Sequence, residues 1–153
     1  MKNSFKALAI AAVALAIPQF VCAQTAVPNN RNERVVLGFI ETLMNQHEVD
    51  KAFDTYVGSE YIQHNPMVPS GVEAGKQAFR AWLTQMPNMH YDVKRIISEG
   101  NYVVIHAHAT SGVEGDKGLA VFDLFRLERG KVVEHWDAVN PVSATPANNN
   151  TQF

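Results

Sequence analysis

The apolar residues of this chain change their spacing near Pro87, and that change limits the fold more than any other feature. Before it they recur at intervals of three and four, in Val35, Val36, Phe39, Ile40, Leu43 and Met44, and again in Ala74, Ala78, Phe79, Trp82, Leu83 and Met86. After it they alternate, as side chains do on a pleated strand. The first pattern predicts a helix capped by Asn32 and running to His47, and a third helix from Val72 to Met86 stopped by Pro87. Between them a short second helix, Lys51 to Tyr56, is expected after an Asp50 cap and before Gly58. The period of two predicts strands over Tyr91 to Ile97, Tyr102 to Thr110, Leu119 to Leu127 and Val132 to Val139, with Arg129-Gly130 as a two-residue hairpin turn. Helices followed by consecutive antiparallel strands predict an α+β domain in which a curved, mainly antiparallel sheet wraps a helical lid.

Ahead of this domain, Lys2 and Lys6 precede the apolar run Ala7 to Ile17, and Val21-Cys22-Ala23 follows it. That order predicts a cleaved secretory signal over residues 1–23, too short in its apolar part to cross a bilayer as a helix. Val21 stands where a lipoprotein signal wants a smaller residue, so Cys22 does not suggest a lipid anchor. Removing 23 of 153 residues leaves 130, takes away the one cysteine, and moves the formal charge from −2 to −4 through loss of Lys2 and Lys6. The expected mature protein is periplasmic or secreted and has neither a disulfide nor a catalytic thiol. Its size fits one domain, with a flexible lead-in at 24–31, the folded part at 32–141, and a polar tail at 142–153 that is disordered or lies on the surface. Its acidic balance recruits neither nucleic acid nor an anionic membrane.

Chemistry-bearing residues cluster in three segments: His64-Asn65-Pro66 in a loop, His106-Ala107-His108 in one strand, and Asp123 in the next. With Arg129-Gly130 as the turn, Glu128 faces Lys131, and an unbroken ladder sets Asp123 opposite Trp136. The longer connection from Ser111 to Gly118 leaves the preceding register open; one choice sets His106 against Asp123, with Cβ atoms ~5 Å apart. One sheet face would then carry His106, His108, Val121, Asp123, Phe125, Glu134 and Trp136, while His135, Asp137 and Arg126 form an ion-pair group on the other. The second face has an apolar centre, which predicts a homodimer joined through the sheet. A carboxylate beside imidazoles in a dry pocket suits proton transfer at carbon next to a carbonyl.

The segments Tyr61-Ile-Gln-His64-Asn65-Pro66, His106-x-His108, Asp123-Leu-Phe-Arg126 and Gly130-Lys-Val-Val-Glu134-His-Trp136-Asp137 together resemble the SnoaL-like proteins, within the nuclear transport factor 2-like, cystatin-like superfamily. The resemblance spans roughly Asn32 to Pro141. It implies a cone-shaped α+β fold with three N-terminal helices packed on the curved sheet around a pocket. It also implies a cyclase that closes rings by aldol condensation, with one aspartate as acid and base and no cofactor or metal. Asp123 matches that aspartate, and His106 or His108 matches a neighbouring histidine. His64 is the remaining catalytic candidate, and Asn65, Trp136, Phe125 and Tyr61 are the candidates for contacting a small-molecule substrate. The same residues admit two other readings. His64, His106, His108 and Asp123 offer three nitrogens and an oxygen to Zn²⁺ or Fe²⁺. The pocket could equally carry a small apolar ligand without turning it over.

Overall fold

A computed structural model describes residues 26–153. The expected signal segment and its cleavage point lie outside the described residues. The elements run α1 (Arg31–Ile40), a π-helical turn (Glu41–Asn45), α2 (Val49–Tyr56), β1 (Val57–Gln63), α3 (Val72–Gln85), β2 (His90–Glu99), β3 (Tyr102–Thr110), β4 (Leu119–Glu128) and β5 (Lys131–Pro141). The strands form one mixed sheet in the order β1-β5-β4-β3-β2, antiparallel except for the parallel β1–β5 pair. The expected architecture of three helices on a curved, mainly antiparallel sheet around a pocket is the one observed.

Local chemistry explains most element ends. Asn30, two residues ahead of the expected Asn32, caps α1, its side chain accepting from the Glu33 N–H at 3.0 Å. The first helix does not stay α-helical to His47: its last turn widens to π form, and His47 takes a left-handed φ of 58°. That turn aims Asn45 at the edge of β2, where its amide accepts from the Tyr91 N–H at 2.8 Å and donates to the Tyr91 carbonyl at 3.1 Å. Helix α2 begins at Val49 without a side-chain cap, so Asp50 lies inside it, and the chain turns directly into β1 at Val57 rather than stopping at Gly58. Gly58 instead gives room to β5: a Cβ there would lie 2.9 Å from the Val133 side chain. At the β4–β5 hairpin both Arg129 and Gly130 have positive φ, as a type I′ turn requires.

Two register details decide which side chains face inward. Glu128 faces Lys131 as expected, but Val133 is an extra residue between the pairs Leu127–Val132 and Arg126–Glu134. This β-bulge shifts the ladder by one, so Asp123 pairs with Asp137 and Trp136 pairs with Leu124. In the β3–β4 ladder, Ile105 faces Asp123 and His106 faces Phe122, one residue from the expected register. Because side chains alternate with period two, each one-residue difference moves a whole set to the opposite face. His106, His108 and Trp136 therefore lie on the outer face, and His135 and Asp137 join Asp123 and Phe125 on the inner one.

The inner face packs on α1 and α2 through an aromatic chain. Phe39 meets Phe53 edge-on at 5.7 Å and Phe125 at 6.1 Å, and Phe53 meets Tyr61 at 5.4 Å. Gly75 of α3 lets Phe53 approach so closely that an added Cβ would sit 3.0 Å from its ring. Phe53 thus joins both helical layers to the sheet, and its truncation leaves a cavity bordered by Phe39, Tyr61, Gly75 and Phe79. The Phe53→Ala variant is expected to lose about 3–5 kcal/mol of stability in urea unfolding.

Candidate functional site

A cavity of about 300 Å³ remains between the helices and the inner sheet face. Phe39, Ile40, Leu43 and Met44 form one wall, Ala78, Phe79 and Trp82 of α3 another, and Tyr61, Met67, Val68, Leu119, Phe125 and Val139 complete the apolar lining. Its polar side chains are Gln63, Asn65, Tyr91, Asp123, His135 and Asp137. Tyr61 supplies a phenol as well.

A chain of hydrogen bonds runs across the floor of the cavity from β1 through β5 to β4. Gln63 Oε1 accepts the backbone N–H groups of His64 and Asn65, both at 2.9 Å, which identifies it as the amide oxygen. An amide oxygen can only accept, so the His135 Nδ1–H donates to it at 3.0 Å. Gln63 Nε2 then donates to the Tyr61 hydroxyl at 3.1 Å, leaving the phenol proton free for another acceptor. On the far side of the imidazole, His135 Nε2 meets Asp123 Oδ1 at 3.1 Å. Since Nδ1 already carries a proton, a second proton in the Nε2···Oδ1 contact makes the pair either a neutral acid beside a neutral imidazole or a carboxylate beside an imidazolium. The ring of His135 is fixed further by stacking on Phe125 at 4.8 Å.

Asp123 is 4% exposed and His135 6%. Burial raises the Asp123 carboxyl above its ordinary range; the hydrogen bond and charge of His135 lower it in part, and Asp137 raises it again. Its second oxygen, Oδ2, is buried without a hydrogen-bond partner. An acceptor left unpaired costs stability, and the residue that carries it lines the cavity. Burial also raises the Tyr61 phenol, with the Asp123 charge adding to it, and raises Tyr91 well above its ordinary value. Both phenols therefore stay protonated and serve as donors. Asp137, opposite Asp123 in the ladder, accepts from Asn65 Nδ2, while Asn65 Oδ1 accepts the Met67 N–H at 2.8 Å and so fixes the amide.

Of the expected site residues, Asp123, Phe125, Tyr61 and Asn65 line this cavity. His64, His106, His108 and Trp136 do not. His64 stacks on Trp136 at 4.5 Å and pairs with Glu134 at 2.9 Å on the outer face, where Arg126 also holds Glu134. His106 stacks on Phe122 at 4.2 Å, and His108 lies between the Lys117 carbonyl at 2.9 Å and the Phe153 ring. The tail thus reaches the outer surface of the sheet. The four residues considered as metal ligands are split between the two faces, and the described residues contain no group of three or more His, Cys, Asp or Glu able to hold a metal ion. His135, Gln63, Asp137 and Tyr91 are the site residues that sequence reasoning missed. Val132-Val133 breaks strict alternation with two adjacent apolar residues, and that signal could have revealed the bulge that turns His135 inward.

Because the folded protein binds the Asp123 proton more tightly than the unfolded chain, Asp123 carries no penalty below the unfolded carboxyl value. The penalty grows as pH rises from there towards the folded value. Replacing the acid by its amide removes that penalty at neutral pH, where His135, Asp137, Tyr61 and Tyr91 are the ionisable neighbours. Asp123→Asn is expected to raise the melting temperature at pH 7 by about 3 °C, or roughly 1 kcal/mol, with the gain vanishing near pH 3.5 in thermal scans.

The sequence profile of the SnoaL-like polyketide cyclases matches residues 34–147. No curated protein matches the chain. Among solved structures, a candidate polyketide cyclase from Acidithiobacillus ferrooxidans superposes with a TM-score of 0.63 at 14% identity, covering 73% of this chain and 89% of its own. A nuclear transport factor 2-like protein of unknown function from Cytophaga hutchinsonii gives 0.58 at 23% identity, covering 72% and 90%. A cystatin-fold protein from Novosphingobium aromaticivorans gives 0.58 at 20% identity, covering 70% and 97%. At these identities the likeness is one of fold. With its profile match spanning the helices, the sheet and every cavity residue, the chain belongs to the SnoaL-like polyketide cyclase family.

Proposed function

We propose that the cavity is the active site of a cofactor-independent enzyme that moves a proton at carbon next to a carbonyl, with Asp123 and His135 acting as a pair. The observation that carries this reading is the unpartnered Oδ2 of Asp123, a residue that lines the cavity and whose other oxygen is joined to His135. In the resting pair, burial favours the uncharged arrangement, with the proton on Asp123. Transfer of that proton to His135 Nε2 leaves a carboxylate whose Oδ2 abstracts the substrate's α-hydrogen. The C–H electron pair moves into the carbonyl to form an enolate, and the phenols of Tyr61 and Tyr91 are the donors available to its oxygen. The enolate carbon then attacks a second carbonyl to close a ring, the π pair of that carbonyl passing to its oxygen, which takes the proton back from Oδ2; or the enolate itself takes that proton at another position. Both outcomes agree with the cyclase or isomerase type of role that family membership suggests.

Volume limits the substrate. About 300 Å³ lies at the small end of ligand pockets, which run to roughly 1,000 Å³, so the enclosed part of the substrate has one or two rings. Asp123→Asn is expected to abolish solvent-deuterium exchange into a bound carbonyl compound. His135→Gln should lower it by about 10²–10⁴-fold, and His106→Gln and His108→Gln should leave it unchanged. Full exchange in Asp123→Asn, measured by proton NMR, would remove the carboxyl from the mechanism.

Two further features belong to the same proposal. Residues 1–23 direct export and are removed, so the working protein is periplasmic or secreted; N-terminal sequencing of the exported protein should begin at Gln24. The apolar centre that predicted a dimer, Val103, Ile105 and Ala107, is instead buried in the core, and the surface through which two copies pair is the outer sheet face, where Ile97 is 63%, Phe122 51% and Tyr102 45% exposed. Light scattering should give a dimer at micromolar concentration, and a monomer mass there would sink that part.

A further inference from the structure

We infer that the cavity selects its ligand by charge, taking a ring-sized apolar compound that bears a protonated amine. The inference rests on the cavity being the working site proposed above and names the substrate class of that site. Three ionisable groups other than phenols border it: Asp123, His135 and Asp137. With one shared proton, Asp123 and His135 sum to zero whether they are a neutral pair or an ion pair. The Asp137 carboxylate then leaves the cavity with one uncompensated negative charge. No Lys or Arg borders it among the described residues.

That charge is only half satisfied by the protein. Asn65 donates one hydrogen bond to Asp137, and no cationic side chain of the lining reaches it. The orphaned Oδ2 of Asp123 lies across the same strand pair, on the same face, where directly paired residues have Cβ atoms about 5 Å apart. Two acceptors with this spacing suit a group with several donors, and an ammonium has three. The walls favour the same ligand, because Phe39, Phe79, Trp82 and Phe125 present aromatic surface to the cavity, and ring faces attract cations in a desolvated site. An anion has neither a counter-charge nor a cationic donor here and meets two acidic side chains.

The test compares three nearly isosteric compounds by calorimetry at pH 7: 2-phenylethylamine, 2-phenylethanol and phenylacetate. The amine is expected to bind about tenfold more tightly than the alcohol or better, with phenylacetate not binding at all. In Asp137→Asn the amine should fall to the affinity of the alcohol, while the alcohol is unaffected. Equal binding of amine and alcohol, binding of phenylacetate, an amine preference that survives Asp137→Asn, or no amine binding at millimolar concentration each overturns the inference. Binding is read without turnover, so the two proposals fail separately. Amine selectivity in a protein with no deuterium exchange leaves the charge selection standing and removes the acid–base chemistry. Exchange into a neutral carbonyl compound without amine preference does the reverse.

Discussion

The β-bulge at Val133 is the constraint on which the site depends. It inserts one unpaired residue into β5, places Val132 and Val133 both in buried positions, and reverses the facing of every residue beyond them. Without it, His135 and Asp137 would stand on the outer face with Arg126, and Asp123 would face the cavity with no imidazole. Gly58 on β1 makes the bulge possible, because its bare Cα admits the Val133 side chain. The parallel β1–β5 pairing then brings Gln63 beside His135, with the two residues directly paired. A packing accommodation between two strands thereby sets the tautomer of the imidazole.

The cavity trades stability for chemistry in a way the surrounding core does not. Around it, Phe39, Phe53, Phe125 and Tyr61 interlock edge-on, and each buried aromatic contributes on the order of 1.5–3 kcal/mol from area removed from water. Against that sits one carboxyl with an unpaired oxygen, raised by burial, which the fold tolerates only because β1, β4 and β5 hold its partners in place. The π-helical turn adds a second support: Asn45 grips the backbone of Tyr91 with both ends of its amide and so fixes a phenol at the cavity wall. A buried carboxyl with an unpaired oxygen, held by three strands inside a packed aromatic core, is what a functional site looks like in physical terms.

The outer face is built on different principles. His64 and His108 are held by a carboxylate and a carbonyl, while His106 stacks on Phe122 with Arg95 at 3.3 Å from its Nδ1 and leaves its Nε2 buried without a hydrogen-bond partner. What they lack is a place at the cavity: none of the three lines it or meets Asp123. An imidazole becomes an acid or base of use only where its partner is fixed and water is kept out.

The sequence by itself determined the order of helices and strands, the hairpin at Arg129-Gly130, the α+β class, and Asp123 as the central carboxyl. These follow from local periodicity, turn geometry and one recognisable stretch, all of which act over a few residues. Only the tertiary structure decided which histidine stands beside Asp123. That choice hangs on the parity of two strand registers. Parity is set by a bulge whose cause, the fit of Val133 against Gly58, lies about 75 residues away along the chain. A period-two pattern reads the same from either face, and the doubled Val132-Val133 marks an irregularity without saying which face is covered. Burial, which requires knowing what covers each face, breaks that symmetry and brings His135, Gln63 and Asp137 into the site.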